Sequence, residues 1–145
     1  MRFVLSAVCV LMLGVSQGRA AGFPPSEAAL NELASHFHTM LQNEGISGIG
    51  SDVIKCYERT LGDKNAMKMC VVYDTAALML DKGMQQMFVG RGLNAVPATL
   101  FTNQAFDARQ NSYGQIAFSD APGSRKLVGP LAQKVLHRAI TPHTY

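Results

Sequence analysis

From residue 22 onward, the sequence lacks the short motifs that carry the best-known enzyme chemistries. It has no Gly-x-Ser-x-Gly, no His-Glu-x-x-His and no glycine-rich loop that would cradle a phosphate. It also has no Cys-x-x-Cys, the usual spacing of a redox dithiol, and no Cys-x-x-Cys-His for covalent haem attachment. These absences exclude the hydrolases, metalloproteases, nucleotide-binding proteins, redox proteins and c-type haem proteins that depend on these motifs. We therefore predict that the protein is not an enzyme.

The sequence also lacks an apolar run long enough to span a membrane. Its longest apolar stretch, from Phe3 to Val15, has 13 residues, whereas a transmembrane helix needs about 20. Met1-Arg2 supplies a basic start, and small residues follow at 18–22. This order is typical of a secretory signal peptide. We predict a cleaved signal peptide over residues 1–21, with cleavage after Ala20 or Gly22, and one helical domain over 22–145.

Charge of either sign is scarce, because only 16% of the residues are charged. The net charge of +3 falls to +1 when Arg2 and Arg19 leave with the signal peptide. A chain so close to neutrality gives no reason to expect a nucleic-acid partner. With the leader removed, we expect no stable membrane span. The predicted location is outside the cytoplasm: the periplasm in a bacterium, and otherwise the medium.

Cysteine is rare as well, and two of the three cysteines remain after Cys9 is removed with the leader. Gly62 is a natural helix stop and Asp63 can cap a following helix, so a turn is predicted between two helices here. Cys56 and Cys70 lie about seven residues on either side of that turn. Equal distances from the turn put both at the same height in an antiparallel helical hairpin. In an oxidising compartment we expect them to form a disulfide.

What the chain does contain is apolar residues at helical spacing. A first helix begins after Ser26 and ends at Gly45, and 48–50 reads as a loop from which Ser51 or Asp52 caps the next helix. No strand-length alternating run competes with the helical pattern, and there are no repeats. The predicted fold is all-α: a compact bundle of four to five helices with the disulfide-linked hairpin at its centre.

The segment from Lys64 to about Val89 is predicted to be the central helix. Its apolar residues, which include four methionines and Phe88, cover about half of the helix circumference, so more than one neighbour should bury them. Gly83 either weakens this helix or marks a close helix crossing. A looser pattern over 98–118 predicts a helix interrupted near Tyr113-Gly114, and a last helix includes Val128 and Val135.

Methionine and histidine are the residues that could bind a soft metal ion. His36 and Met40 are four apart and share a helix face, whereas His36 and His38 do not. These two are the candidate metal ligands, but methionines on an apolar face more often pack the core. We predict no cofactor, and keep a copper or haem carrier that uses Met and His as the alternative function.

The segment 99–118 carries more polar residues than a plain bundle requires. Aromatic side chains and arginine within polar surroundings are typical of protein interfaces, so Phe106, Arg109 and Tyr113 are predicted to form a partner-binding face. The leading hypothesis is an exported helical protein of the cell envelope that acts as a non-enzymatic binding or accessory factor. A small hydrolase with an unrecognised site is a further alternative.

Overall fold

The computed structural model describes residues 22–141, so the predicted signal peptide and the last four residues lie outside it. Of the described residues 81% are helical and none forms a strand, which confirms the all-α fold. No helix within 22–141 has the length and apolar character needed to cross a membrane. The elements are α1 (Glu27–Arg59), α2 (Lys64–Gly90), a 3₁₀ turn (Thr99–Phe101), α3 (Asn103–Arg109), a π-helical turn (Gln110–Gly114), α4 (Gln115–Ala117), a second 3₁₀ segment (Pro122–Leu127) and α5 (Val128–Ile140).

Helix α1 is two helical segments that meet at Gly45. The Ser26 side chain accepts a hydrogen bond from the backbone N–H of Ala29, which caps the first segment as predicted. Gly45 has φ 67° and ψ −165°, a conformation that essentially only glycine adopts. The predicted break at Gly45 is therefore present.

The predicted loop at 48–50 is wrong, because the helix resumes directly after the break. Gly48, Ile49 and Gly50 are helical and buried. A Cβ at Gly50 would lie 2.8 Å from the Leu100 side chain, so the absence of a side chain allows the segment before α3 to pack closely on α1. Glycine here serves close packing rather than a turn.

The hairpin between α1 and α2 is confirmed, together with its disulfide. The Asp63 side chain accepts from the backbone N–H of Ala66 at 3.0 Å and caps α2. Cys56 and Cys70 are joined, with their Cα atoms 5.7 Å apart. Closing a loop of 14 residues contributes about 3 kcal/mol in the chain-entropy model.

Helix α2 occupies the centre of the bundle and packs against both α1 and α5. It contributes the middle of the hydrophobic core, whereas α5 contributes one apolar stripe. Helices α3 and α4 form one helix that is interrupted by the π-helical turn. A Cβ at Gly83 would meet nothing within 4 Å, so Gly83 does not mark a close helix crossing. The buried side chains of α5 are Val128, Ala132, Val135 and Ala139.

The interruption predicted near Tyr113-Gly114 takes the form of a π-helical turn over Gln110–Gly114. A π turn widens the helix by one residue and changes the direction of the side chains that follow it, and such turns often occur at functional sites. Gln110 and Gly114 are both buried. A Cβ at Gly114 would lie 3.0 Å from the Gln110 side chain, so the turn is tightly packed on its inner side.

Candidate functional site

The predicted partner-binding face consists of Phe106, Arg109 and Tyr113, and the structure places Arg109 inside the protein. Arg109 is only 7% exposed. Its Nε donates to Asp74 Oδ2 at 2.9 Å and its Nη2 donates to Asp74 Oδ1 at 2.7 Å. Because Asp74 is fully buried on α2, its carboxylate requires a cation and hydrogen-bond donors close by. The guanidinium is therefore engaged in folding and is not presented to a partner.

The residues around this ion pair complete a closed polar cluster. The Tyr57 hydroxyl donates to Asp74 Oδ2 at 3.0 Å. Burial, reinforced by the Asp74 carboxylate, raises the pKa of Tyr57 well above its ordinary value of 10, so the hydroxyl stays a donor. The Tyr57 ring stacks on Tyr113 with centroids 4.4 Å apart, and the Arg109 guanidinium lies 6.0 Å from the centre of the Phe106 ring.

Phe106, Arg109 and Tyr113 are thus brought together, but around a buried carboxylate rather than on the surface. The prediction of Arg109 as a surface contact is corrected by its burial. Phe106 and Tyr113 are half-buried, and binding through them stays a prediction. Sequence reasoning missed Asp74 because it lies 35 residues from Arg109 on another helix.

The candidate metal ligand His36 is part of a second polar cluster. Its Nε2 lies 2.5 Å from Asp52 Oδ2, and the Tyr73 hydroxyl donates to the same oxygen at 3.1 Å. Burial of the Tyr73 hydroxyl is the main cause that raises its pKa above the ordinary value, and the negative charge of Asp52 is the second. Asp52 does not cap a helix as predicted, because its buried carboxylate binds side chains of α1 and α2.

One imidazole nitrogen of His36 is bound to the Asp52 carboxylate. Met40 is half-buried and packs against the core. Within residues 22–141, no group of three or more His, Cys, Asp or Glu side chains is placed to hold a metal ion. A His–carboxylate pair whose imidazole is half-exposed can move a proton. The two cavities described below are, however, lined by other residues. The carrier and hydrolase alternatives stay predictions.

The most distinctive surface lies at the end of α2 and in the loop that follows it. We call it the α2-end surface and define it as Met87, Phe88, Val89, Leu93 and Val96. Their exposed fractions are 47, 36, 64, 55 and 85%, in that order. Single exposed apolar residues are ordinary, whereas a contiguous exposed apolar patch is typical of an interaction site.

This surface exists because the last nine residues of α2, 82–90, lie outside the buried core. At 1.5 Å per residue, the 27 residues of α2 span about 40 Å, whereas the 13 residues of α5 span about 20 Å. Burial along α2 ends at Asp81, and residues 82–90 are exposed or half-buried. Met87 and Phe88, which the sequence places in the buried arc of the central helix, are therefore on the surface.

A shallow cavity of about 490 Å³ lies beside the exposed end of α2. One side is formed by residues of α2, and the other by Ala95 in the loop that follows. The lining residues are Lys82, Gln85, Gln86, Val89, Gly90 and Ala95. A smaller cavity of about 390 Å³ lies between α1 and residues 97–101.

The loop 91–98 is held against α2 at both of its ends. Gly92 has φ 72° and makes the turn out of the helix. At the other end, the buried Asp81 carboxylate accepts from the backbone N–H of Ala98 at 3.3 Å and from the Gln85 side chain. The α2-end surface is therefore preformed. Comparison with protein-family models, with curated proteins and with solved structures finds no match to this chain.

Proposed function

We propose that this chain is an exported, non-enzymatic protein of the cell envelope that acts by binding another protein through the α2-end surface. The observation that carries the proposal is the exposure of five large apolar side chains within residues 87–96. Leaving such a patch in water is unfavourable by about 25 cal/mol per Å² of apolar area. A partner that covered the patch would recover this free energy.

Two features support export. The N-terminal residues have the order of a signal peptide, and the Cys56–Cys70 disulfide is of the kind that persists in an oxidising compartment. The half-buried Cys56 and the buried Cys70 lie beside the hairpin turn. The disulfide therefore joins α1 to α2, the helix whose far end carries the α2-end surface.

The test is site-specific photocrosslinking in the envelope of the producing cell. A photoreactive phenylalanine analogue replaces Val89 in one variant and Leu61 in a matched control. The two positions are 64 and 61% exposed, and Leu61 lies in the hairpin turn before the start of α2. We expect a discrete crosslinked product of fixed mass from position 89 and none from position 61.

A second variant connects the product to the surface itself. Val89→Asp adds a charge to the patch, so an untagged Val89→Asp protein should fail to compete for the crosslink, whereas untagged Leu61→Asp should compete fully. Equal products from both positions, or none from position 89, would show that the α2-end surface is not a binding site.

A further inference from the structure

The two cysteines of the disulfide differ in their access to solvent. Cys70 belongs to the hydrophobic core and is 0% exposed, whereas Cys56 is only partly buried at the edge of that core. A disulfide is opened when a thiolate attacks one sulfur and the other sulfur leaves. Attack on Cys70 requires the core to open first. The Cys56 side of the bond is therefore the one that a thiolate from solvent meets.

Attack at Cys56 makes Cys70 the sulfur that leaves, and burial disfavours the charge that it acquires. The structure places a hydrogen-bond donor beside this sulfur. Thr60 Oγ1 lies 3.5 Å from Cys70 Sγ. Because a sulfur in a disulfide carries no proton, only the hydroxyl can donate in this contact. Thr60 is thus in position to stabilise a thiolate at Cys70.

The Thr60 hydroxyl has other acceptors while the disulfide is closed. Its oxygen lies 2.9 Å from the carbonyl oxygen of Cys56 and 3.3 Å from that of Tyr57. A hydroxyl hydrogen rotates to suit its acceptors, and a hydrogen bond to an ionised acceptor is stronger than one to a neutral carbonyl. Formation of the thiolate therefore favours rotation of this hydrogen toward Cys70.

We propose that the folded protein exchanges its disulfide with small thiols at Cys56. The thiolate forms a bond to the Cys56 sulfur, and the bond between the two cysteines breaks. The electron pair of that bond stays on Cys70, where the Thr60 hydroxyl binds the new thiolate. Cys70 is then placed to attack Cys56, expel the small thiol and restore the disulfide.

The mixed disulfide at Cys56 can also be resolved by a second small thiol. That thiolate attacks the sulfur of the first thiol, and Cys56 leaves as a thiolate. Two small thiols are then oxidised to one disulfide, and the two cysteines of the protein are reduced. This reactivity is independent of the binding function proposed above.

The test uses reduced glutathione and the oxidised mature protein, without denaturant. Acid stops the exchange at short times, free thiols are blocked with N-ethylmaleimide, and peptide mass spectrometry locates the glutathione. We expect glutathione on Cys56 and the maleimide on Cys70, with at least about ten times more glutathione at Cys56 than at Cys70. Equal amounts at both cysteines, an excess at Cys70 or no adduct in the folded protein would refute the proposal.

Two variants test the part of Thr60. Thr60→Val removes the hydroxyl but keeps the branched shape, and Thr60→Ser keeps the hydroxyl. We expect Thr60→Val to slow the exchange by about tenfold, because it removes a hydrogen bond to a charged sulfur, and Thr60→Ser to react near the unmodified rate. A purely structural role predicts the opposite, since loss of the helix-end hydrogen bonds loosens the hairpin and speeds the exchange. If Thr60→Val reacted as fast as Thr60→Ser, the assignment of Thr60 would be wrong.

Urea separates exchange in the folded protein from exchange after unfolding. Below the unfolding transition, we expect the rate of glutathione addition to Cys56 to depend only weakly on urea. If the rate instead rose as steeply as the unfolding equilibrium constant, only the unfolded chain would react and the proposed site would not exist.

Discussion

Asp74 is the residue around which the interrupted helix closes. It is fully buried and is bound through both oxygens by Arg109. Truncating one partner of a buried ion pair leaves an uncompensated charge, so Arg109→Ala should lower the free energy of unfolding by about 3–5 kcal/mol. Urea denaturation followed by circular dichroism measures the loss.

Arg91→Ala is the matched control, because it makes the same chemical change at an exposed position. It should stay within about 0.5 kcal/mol of the unmodified protein. Tyr57→Phe removes one hydrogen bond to the same carboxylate and should cost an intermediate amount, about 1.5–3 kcal/mol. If Arg109→Ala and Arg91→Ala were equally stable, the ion pair would contribute nothing to folding.

Side-chain partners were the least predictable feature of this chain. Asp52 follows a glycine-rich stretch and reads as a helix cap, yet its carboxylate binds Tyr73, 21 residues away. Arg109 reads as a surface residue and binds Asp74, 35 residues away. Each residue type allows several roles, and only the packing of α2 against its neighbours selects one. Because sequence periodicity gives helix faces but not which faces meet, these contacts could not be derived from it.

The helices themselves were easier to predict, because the residues that start and end a helix are close together in the sequence. Gly62 and Asp63 predict a turn, and the cysteines on either side predict its disulfide, which the structure contains. The loop predicted at 48–50 failed for a definite reason. Glycine occurs both in flexible loops and where two segments pack closely. At Gly50 the Leu100 side chain occupies the space that a Cβ would need, so this glycine allows close packing.

Two glycines in helical segments should respond oppositely to the same substitution. Gly45 has φ 67° and ψ −165°, so Gly45→Ala should destabilise the protein by about 1–3 kcal/mol. Gly83 lies within α2 with open space around it, so Gly83→Ala should stabilise by about 0.5–1 kcal/mol. Thermal unfolding of both variants measures the two shifts. Shifts of the same sign would contradict the assignment of Gly45 as the kink in α1.

At the scale of the whole molecule, how far the neighbouring segments cover α2 decides which of its residues are left exposed. Met87 and Phe88 belong to the apolar face of α2 and would be core residues if a neighbour reached them. Burial along α2 instead ends at Asp81. Sequence periodicity identifies an apolar face but not the length of the helix that covers it. The α2-end surface was therefore not predicted, although the exposed Leu93 and Val96 in the following loop were its signal.

The bundle is also closed by carboxylates that join segments far apart in the chain. Glu27, at the start of α1, pairs with Arg138 and Lys134 of α5, and these bonds lower the pKa of Glu27 from 4.5 to about 2. The hydrogen bond from Lys68 likewise lowers the pKa of Asp120. A group with a lowered pKa in the folded state binds fewer protons there than when unfolded. Its stabilisation is therefore complete above its ordinary pKa and is lost as the pH falls.

The unfolding temperature should therefore decrease between about pH 5 and pH 2, and part of this decrease belongs to Glu27. Glu27→Gln should lower the unfolding temperature at neutral pH and flatten its dependence on acid, because the amide carries no charge to lose. Glu32→Gln removes an exposed carboxylate from the same helix and should leave the slope unchanged. Calorimetry across this pH range distinguishes the two variants. An identical slope for Glu27→Gln and the unmodified protein would mean that the contact between α1 and α5 does not depend on this charge.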